Sequence, residues 1–204
     1  MWTYLIIAVL ALALALLWLV RERGRLKVRL SIAERQCEFD PLTSVRNRRG
    51  FNRQVETATA YAARYERPLS LMMVDLDDFK TINDSHGHHI GDRVLKDLAM
   101  ILEENTRKSD IIARWGGDEM AVLLPETDGT AASEVACKIS KAIAEHEFPI
   151  NGSSVRFTVS IGVASYPESA SDFAELEVKA DEAMYASKKG GKNRITEASL
   201  LDVV

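Results

Sequence analysis

"RWGGDEM" (residues 114–120) lies between two segments that read as strands, "DIIAR" (110–114) and "MAVLLP" (120–125). The two form a hairpin whose tip carries a pair of glycines and then two adjacent acids. A hairpin normally turns on residues that cost less than neighbouring carboxylates. Asp118 and Glu119 at such a tip therefore ask for a ligand, and Gly116 and Gly117 leave the backbone bare enough for one to approach.

A second acidic stretch sharpens the reading. "MMVDLDDFK" (72–80) ends a buried, apolar strand on Asp75, with Asp77 and Asp78 following. A carboxylate at the mouth of an apolar strand is costly unless something pairs it. If the two segments are sheet neighbours, Asp75, Asp118 and Glu119 converge and repel one another unless a cation binds. Hard oxygen ligands suit Mg²⁺ or Mn²⁺, and Mg²⁺ commonly arrives with nucleotide phosphates. Basic groups supply the counterpart. "KKGGKNR" (188–194) holds Lys188 and Lys192 around two glycines, and Lys80 follows Asp75 closely enough to reach the same phosphates.

Around these motifs the chain reads as alternating strands and helices. A turn and helix occupy 40–65, a buried strand 68–76, and two helical stretches around a glycine turn 78–105. After the hairpin come a helix at 129–146, a strand at 155–166, a helix at 173–190 and a short strand at 193–198. This pattern predicts an α/β sandwich with a central sheet of about five strands surrounded by helices.

The N-terminus differs in character. Residues 1–20 carry no charge, and 2–20 as a helix would measure roughly 28 Å, close to a bilayer's hydrocarbon core. No basic residue precedes this run and no small-residue cleavage site follows, so a retained transmembrane anchor is expected rather than a signal peptide. Five Lys and Arg residues lie within 21–29 and none before the span. That asymmetry predicts a single-pass protein of the inner membrane with the rest of the chain in the cytoplasm. Residues 21–39 read as a linker helix, with Leu26, Leu30, Ala33 and Cys37 at the spacing of a short two-stranded coil. Residues 30–204 carry a net charge of −8, which argues against nucleic acid as a partner. Cys37 and Cys137 have no metal-ligand spacing and are expected to be reduced and structural.

Five motifs in order, "DPLTSVRNRRGF", "DLDDFKTINDSHGHHIGD", "RKSDIIARWGGDEM", "SIGVA" and "ADEAMYASKKGGKNR", resemble the GGDEF-domain diguanylate cyclases. The resemblance spans 40–197, leaving 198–204 as a C-terminal tail, and implies a nucleotide-cyclase, palm-like fold. It implies condensation of two GTP into cyclic di-GMP and pyrophosphate by two metal ions at the interface of a homodimer. By position, Asp75, Asp118 and the Leu76 carbonyl would bind the metals, with Glu119 supporting them. Asp118, Glu119 and Lys80 would serve catalysis. Asn83 and Asp92 would read guanine. Gly116, Gly117, Lys188 and Lys192 would meet the phosphates, Lys192 standing where the family more often has Arg.

The same resemblance makes Arg107 and Asp110 of "RKSD" an inhibitory product site, with Lys138 in place of a second family arginine. Met120 replaces the signature phenylalanine and is expected to pack in the core. His86, His88 and His89 are expected to form a turn rather than a metal site. The competing reading is a catalytically inactive module that senses cyclic di-GMP through Arg107 and Asp110. The intact Gly116–Glu119 tip argues against it.

Overall fold

The computed structural model describes Trp2 and residues 14–25, 38–150 and 153–201. The chain divides into two compact units, Met1–Glu38 and Phe39–Val204. In the first, residues 14–25 are helical, and Leu14, Leu16, Leu17, Trp18, Leu19 and Val20 are exposed. Most of the expected 2–20 span and the whole 26–37 seam lie outside the described residues. Among the described residues, no helix is long and apolar enough to cross a membrane.

The second unit is a mixed sheet between two helical layers. Its elements are β1 (Arg46–Asn47), α1 (Arg48–Tyr65), β2 (Leu69–Leu76), α2 (Phe79–His86), α3 (His88–Asn105), β3 (Ile111–Gly116), β4 (Glu119–Pro125), α4 (Gly129–Glu145), β5 (Phe148–Ile150), β6 (Ser153–Val155), β7 (Val159–Tyr166), α5 (Phe173–Lys189) and β8 (Arg194–Glu197). Six strands form the main sheet in the order β1-β3-β4-β2-β7-β8, and β5 and β6 form a separate hairpin. The five expected strands are all present. The sixth, two-residue β1, is too short to show periodicity and exists because it pairs in parallel with β3.

Strand β2 is buried along its whole length because both faces of the sheet are covered. Its residues alternate between two cores. Met72, Val74 and Leu76 join Leu95, Leu98, Leu102, Ile139 and Ile143 of α3 and α4. Leu69, Leu71 and Met73 join Phe51 and Val55 of α1 and Leu176, Ala180 and Met184 of α5. Met120 is fully buried in the first of these, as expected of a packing residue. Helix α5 approaches β7 closely at Gly162, where an added Cβ would lie 2.1 Å from the Ala180 carbonyl oxygen and from the Met184 nitrogen. No side chain fits there, which accounts for the glycine in "SIGVA".

Asn47, Asp128 and Asp172 cap α1, α4 and α5 by accepting from the backbone N–H three residues on. Cys137 departs from expectation: it is exposed on α4, opposite the apolar face made by Ala132, Ala136, Ile139 and Ile143. It is not a core residue, and Cys37 lies outside the described residues.

Candidate active site

Strand register brings the two acidic motifs together. Antiparallel β2 and β4 place Asp75 directly opposite Glu119, with Ser160 of β7 on the other side of Asp75. Alternation then settles the direction. Asp75 and Glu119 continue the series of Leu71, Met73, Ala121 and Leu123, so both face the layer of α1 and α5. From α5, Lys188 Nζ reaches Asp75 Oδ2 at 2.7 Å.

The electrostatics follow from this crowding. Asp75 is 6% exposed, and burial pushes its carboxyl up to about 6; Lys188 opposes the rise, while Asp118 and Glu119 add to it. Burial also raises Glu119. There Lys188 and Arg48 work against the rise, and Asp181 and Asp118 contribute to it. Among the described residues, no three acid, His or Cys side chains are gathered closely enough to hold a metal ion. The donor chemistry nevertheless fits a hard divalent cation: buried Asp75 and half-buried Glu119 face each other across a strand pair, Asp118 repels both, and the direct ion-pair partner of Asp75 is a lysine side chain.

The tip itself is held from below. Gly117 adopts φ +54°, and a Cβ built on Gly116 or Gly117 would meet nothing within 4 Å, so the space beside the tip is open. Arg114 donates through Nε and Nη2 to the Gly117 carbonyl at 3.0 and 2.9 Å. Its Nη1 lies 3.3 Å from each oxygen of Asp40. Asp40 in turn closes the "DPLT" turn, accepting from the Leu42 and Thr43 amides and the Thr43 hydroxyl. Burial would raise Asp40, but Thr43 and Arg114 hold it below the usual carboxylate range. Arg48 stacks on Trp115, 4.3 Å from the ring centroid, and pairs with Glu177 of α5.

The remaining candidates occupy neighbouring loops and helices. Asp77 and Asp78 alone separate β2 from α2, which carries Lys80 exposed in its first turn and Asn83 half-buried. An added Cβ on Gly91 would lie 2.0 Å from Asn83 Oδ1, so Asn83 lies against the residue that precedes Asp92. The amide and the exposed carboxylate thus share the α2–α3 corner. Lys192, at φ +62°, donates to Asp78 Oδ1 at 2.6 Å, and this contact holds its ammonium above its ordinary value. Gly87 alone separates α2 from α3; His86 ends the first helix and His88 and His89 begin the second, so the histidines expected to form a turn are helical.

Arg107 and Asp110 lie apart from these acids. They line a cavity of about 420 Å³ with Arg46, Gln54, Glu103 and Lys108. The Arg107 amide donates to Asp110 Oδ2 at 2.7 Å, which fixes the loop. Lys138 is exposed on α4 and does not line this cavity.

Sequence reading gave no role to three residues that structure the surroundings of the site, Arg114, Asp40 and Asp77. The signal for the first two was local: an arginine three residues before the glycine that it grips, and an Asp-x-x-Thr turn. Nothing in the sequence paired them.

The family model described as "Diguanylate cyclase, GGDEF domain" matches residues 37–194. Diguanylate cyclase A of Treponema denticola is 42% identical over 128 residues, covering 63% of this chain and 34% of that protein. Diguanylate cyclase DgcM of Escherichia coli is 38% identical over 179 residues, covering 88% of this chain and 42% of that one. The chain thus spans less than half the length of these relatives. The coiled coil and GGDEF domain of DgcB from Caulobacter crescentus, solved in complex with c-di-GMP, superposes with a TM-score of 0.82 at 28% identity. That match covers 91% of this chain and 98% of the other.

Proposed function

The chain belongs to the GGDEF-domain diguanylate cyclase family, and we propose that it condenses two GTP into cyclic di-GMP and pyrophosphate. The observation that carries this reading is the Asp75–Glu119 pair, set on one sheet face beside an open glycine tip, with Lys188 2.7 Å from Asp75. Crowded acids beside lysines that can exchange a carboxylate partner for a phosphate suit a cation and a polyphosphate arriving together.

Asp75, Asp118, Glu119 and the Leu76 carbonyl would hold Mg²⁺ or Mn²⁺. Bound there, two such ions would acidify a ribose 3′-hydroxyl and offset charge on the α-phosphate under attack. This chain's own residues orient the substrate. Asn83 and Asp92 present an amide and a carboxylate to the guanine edge, whose O6 accepts and whose N1–H and N2–H donate. Lys80, Lys188 and Lys192 neutralise the triphosphate, and Gly116 and Gly117 admit it to the backbone. One nucleotide per domain and a product with two equivalent linkages require a homodimer with twofold symmetry.

Arg107 and Asp110 form a product site by the same reading. Their cavity is large enough for a guanine and carries a planar donor fork beside a carboxylate acceptor. Binding there would slow the enzyme as cyclic di-GMP accumulates. Residues 2–20 would anchor the chain in the inner membrane with the catalytic domain in the cytoplasm. The uncharged sequence and the exposed apolar helix from Leu14 to Val20 support this.

The test is incubation of the full chain in detergent with Mg²⁺ and GTP, followed by mass identification of the products. Cyclic di-GMP and pyrophosphate are expected. Absence of GTP consumption, with cyclic di-GMP binding retained, would favour the inactive effector instead.

A further inference from the structure

Asp77 is a second buried carboxylate at the mouth of β2, 6% exposed, and it plays no part in the chemistry proposed above. Unlike Asp75, it has protein donors on both oxygens. Oδ2 accepts from Thr158 Oγ1 at 2.6 Å and from the Asn193 backbone N–H at 2.9 Å. Oδ1 accepts from Ser160 Oγ at 2.7 Å, and the Asp77 N–H donates to the Thr158 carbonyl at 2.9 Å. With its lone pairs engaged in this way, Asp77 is not available as a ligand. A buried acid is costly, and packing alone would be served as well by an apolar residue.

What it joins is informative. Thr158 and Ser160 flank the first residue of β7, and Asn193 belongs to the basic turn after α5. That turn contains three consecutive residues with positive φ, Gly191, Lys192 and Asn193, two of which are not glycine. Such backbone persists only when its surroundings hold it. The holds include the Asp77–Asn193 bond, the Lys192 N–H to the Ser187 carbonyl at 3.1 Å, Arg194 Nε on the Lys192 carbonyl at 3.2 Å, and the Lys192 side chain on Asp78.

We propose that Asp77 is a positioning residue that clamps the 190–193 turn against the acidic mouth, setting Lys192 at a fixed distance from Asp75 for binding a nucleoside triphosphate. The inference rests on the GTP reading of the same site. Removing the clamp frees the turn to swing, so Lys192 meets the triphosphate only part of the time and affinity falls.

Asn and Ala separate the clamp from packing. In Asp77→Asn the amide oxygen keeps the Asn193 and Thr158 bonds, and the amide nitrogen meets Ser160, whose hydroxyl rotates to accept. In Asp77→Ala all three contacts go. Two measurements on the full chain follow: hydrogen exchange at the Asn193 amide without ligand, and calorimetric binding of a GTP analogue with an α,β-methylene bridge in Mg²⁺. Asp77→Ala should speed the exchange and weaken the analogue, each by roughly tenfold or more. It should raise the KM for GTP more than it lowers kcat, and Asp77→Asn should restore all three to within about threefold.

Should Asp77→Ala fail to fold, Asp77→Ser, which is too short to span its partners, carries the same expectation. Folded Asp77→Ala with wild-type exchange and affinity would overturn the clamp. A wild type that binds no analogue would overturn the GTP reading instead.

Discussion

The Arg114 guanidinium grips the Gly117 carbonyl at two points, Nε at 3.0 Å and Nη2 at 2.9 Å. The arginine at the end of one strand thereby supports the bare turn that leads into the other. Its third nitrogen faces Asp40, so the tip is tied to the first turn of the domain. Arg114→Lys keeps the charge but loses the planar fork. We expect a stability loss of about 1–2 kcal/mol and turnover reduced roughly tenfold or more as the tip loosens. Thermal denaturation and initial rates measure both, and unchanged turnover would show that the grip is only structural.

Asp118→Asn should leave a folded protein whose turnover falls on the order of 100-fold or more, because an amide replaces a charged cation ligand poorly. In the metal-free state it should be no less stable than wild type, since Asp118 raises both Asp75 and Glu119 by repulsion. Near-normal cyclic di-GMP production by this variant would contradict the assignment.

Asp75 supplies a pH test. Its carboxyl moves from an ordinary 3.8 to about 6 on folding. The folded state therefore holds the proton more tightly than the unfolded chain. The contribution to stability is full below the unfolded value, declines as pH rises and is lost above about 6. In chelator, the stability of Asp75→Asn relative to wild type should grow between those limits and level off beyond them. Denaturant titrations across that range measure it, and a flat difference would mean that Asp75 is not perturbed.

Arg107→Ala should weaken cyclic di-GMP binding by roughly ten- to a hundredfold, the loss of one charge-assisted contact. Initial rates should change far less, because the cavity that Arg107 lines includes none of Asp75, Asp118 or Glu119. Calorimetric titration alongside rate measurement decides; equal affinity in both proteins would make Arg107 a surface charge. Lys138→Ala should leave affinity unchanged, since Lys138 does not line the cavity.

A dimeric mechanism predicts that specific activity in detergent falls on dilution, and falls less when the chain is concentrated in vesicles. Constant specific activity of a demonstrably monomeric sample would exclude a shared site.

Much of this molecule is local in origin and therefore legible in the chain. Period-3.6 patterning marks the helices, and β2 reads as a strand because a largely apolar run leads to Asp75. The glycine–acid tip and the lysine-flanked glycines state their chemistry in adjacent residues. What tertiary structure alone decided are the relations between distant segments. Register set Asp75 opposite Glu119, and alternation turned both toward α5, where Lys188 neutralises the acid that sequence reading had left to a cation. Two-residue β1 exists only because β3 is beside it. Lys138 lies outside the lining of the Arg107 cavity, on α4. Asp77, one of three acids in "DLDD", became a clamp because the start of β7 and the end of the basic turn both lie against it. A sequence shows which groups are present, but a hydrogen bond between residues 77 and 193 depends on where two chain reversals end, and only the folded packing decides that.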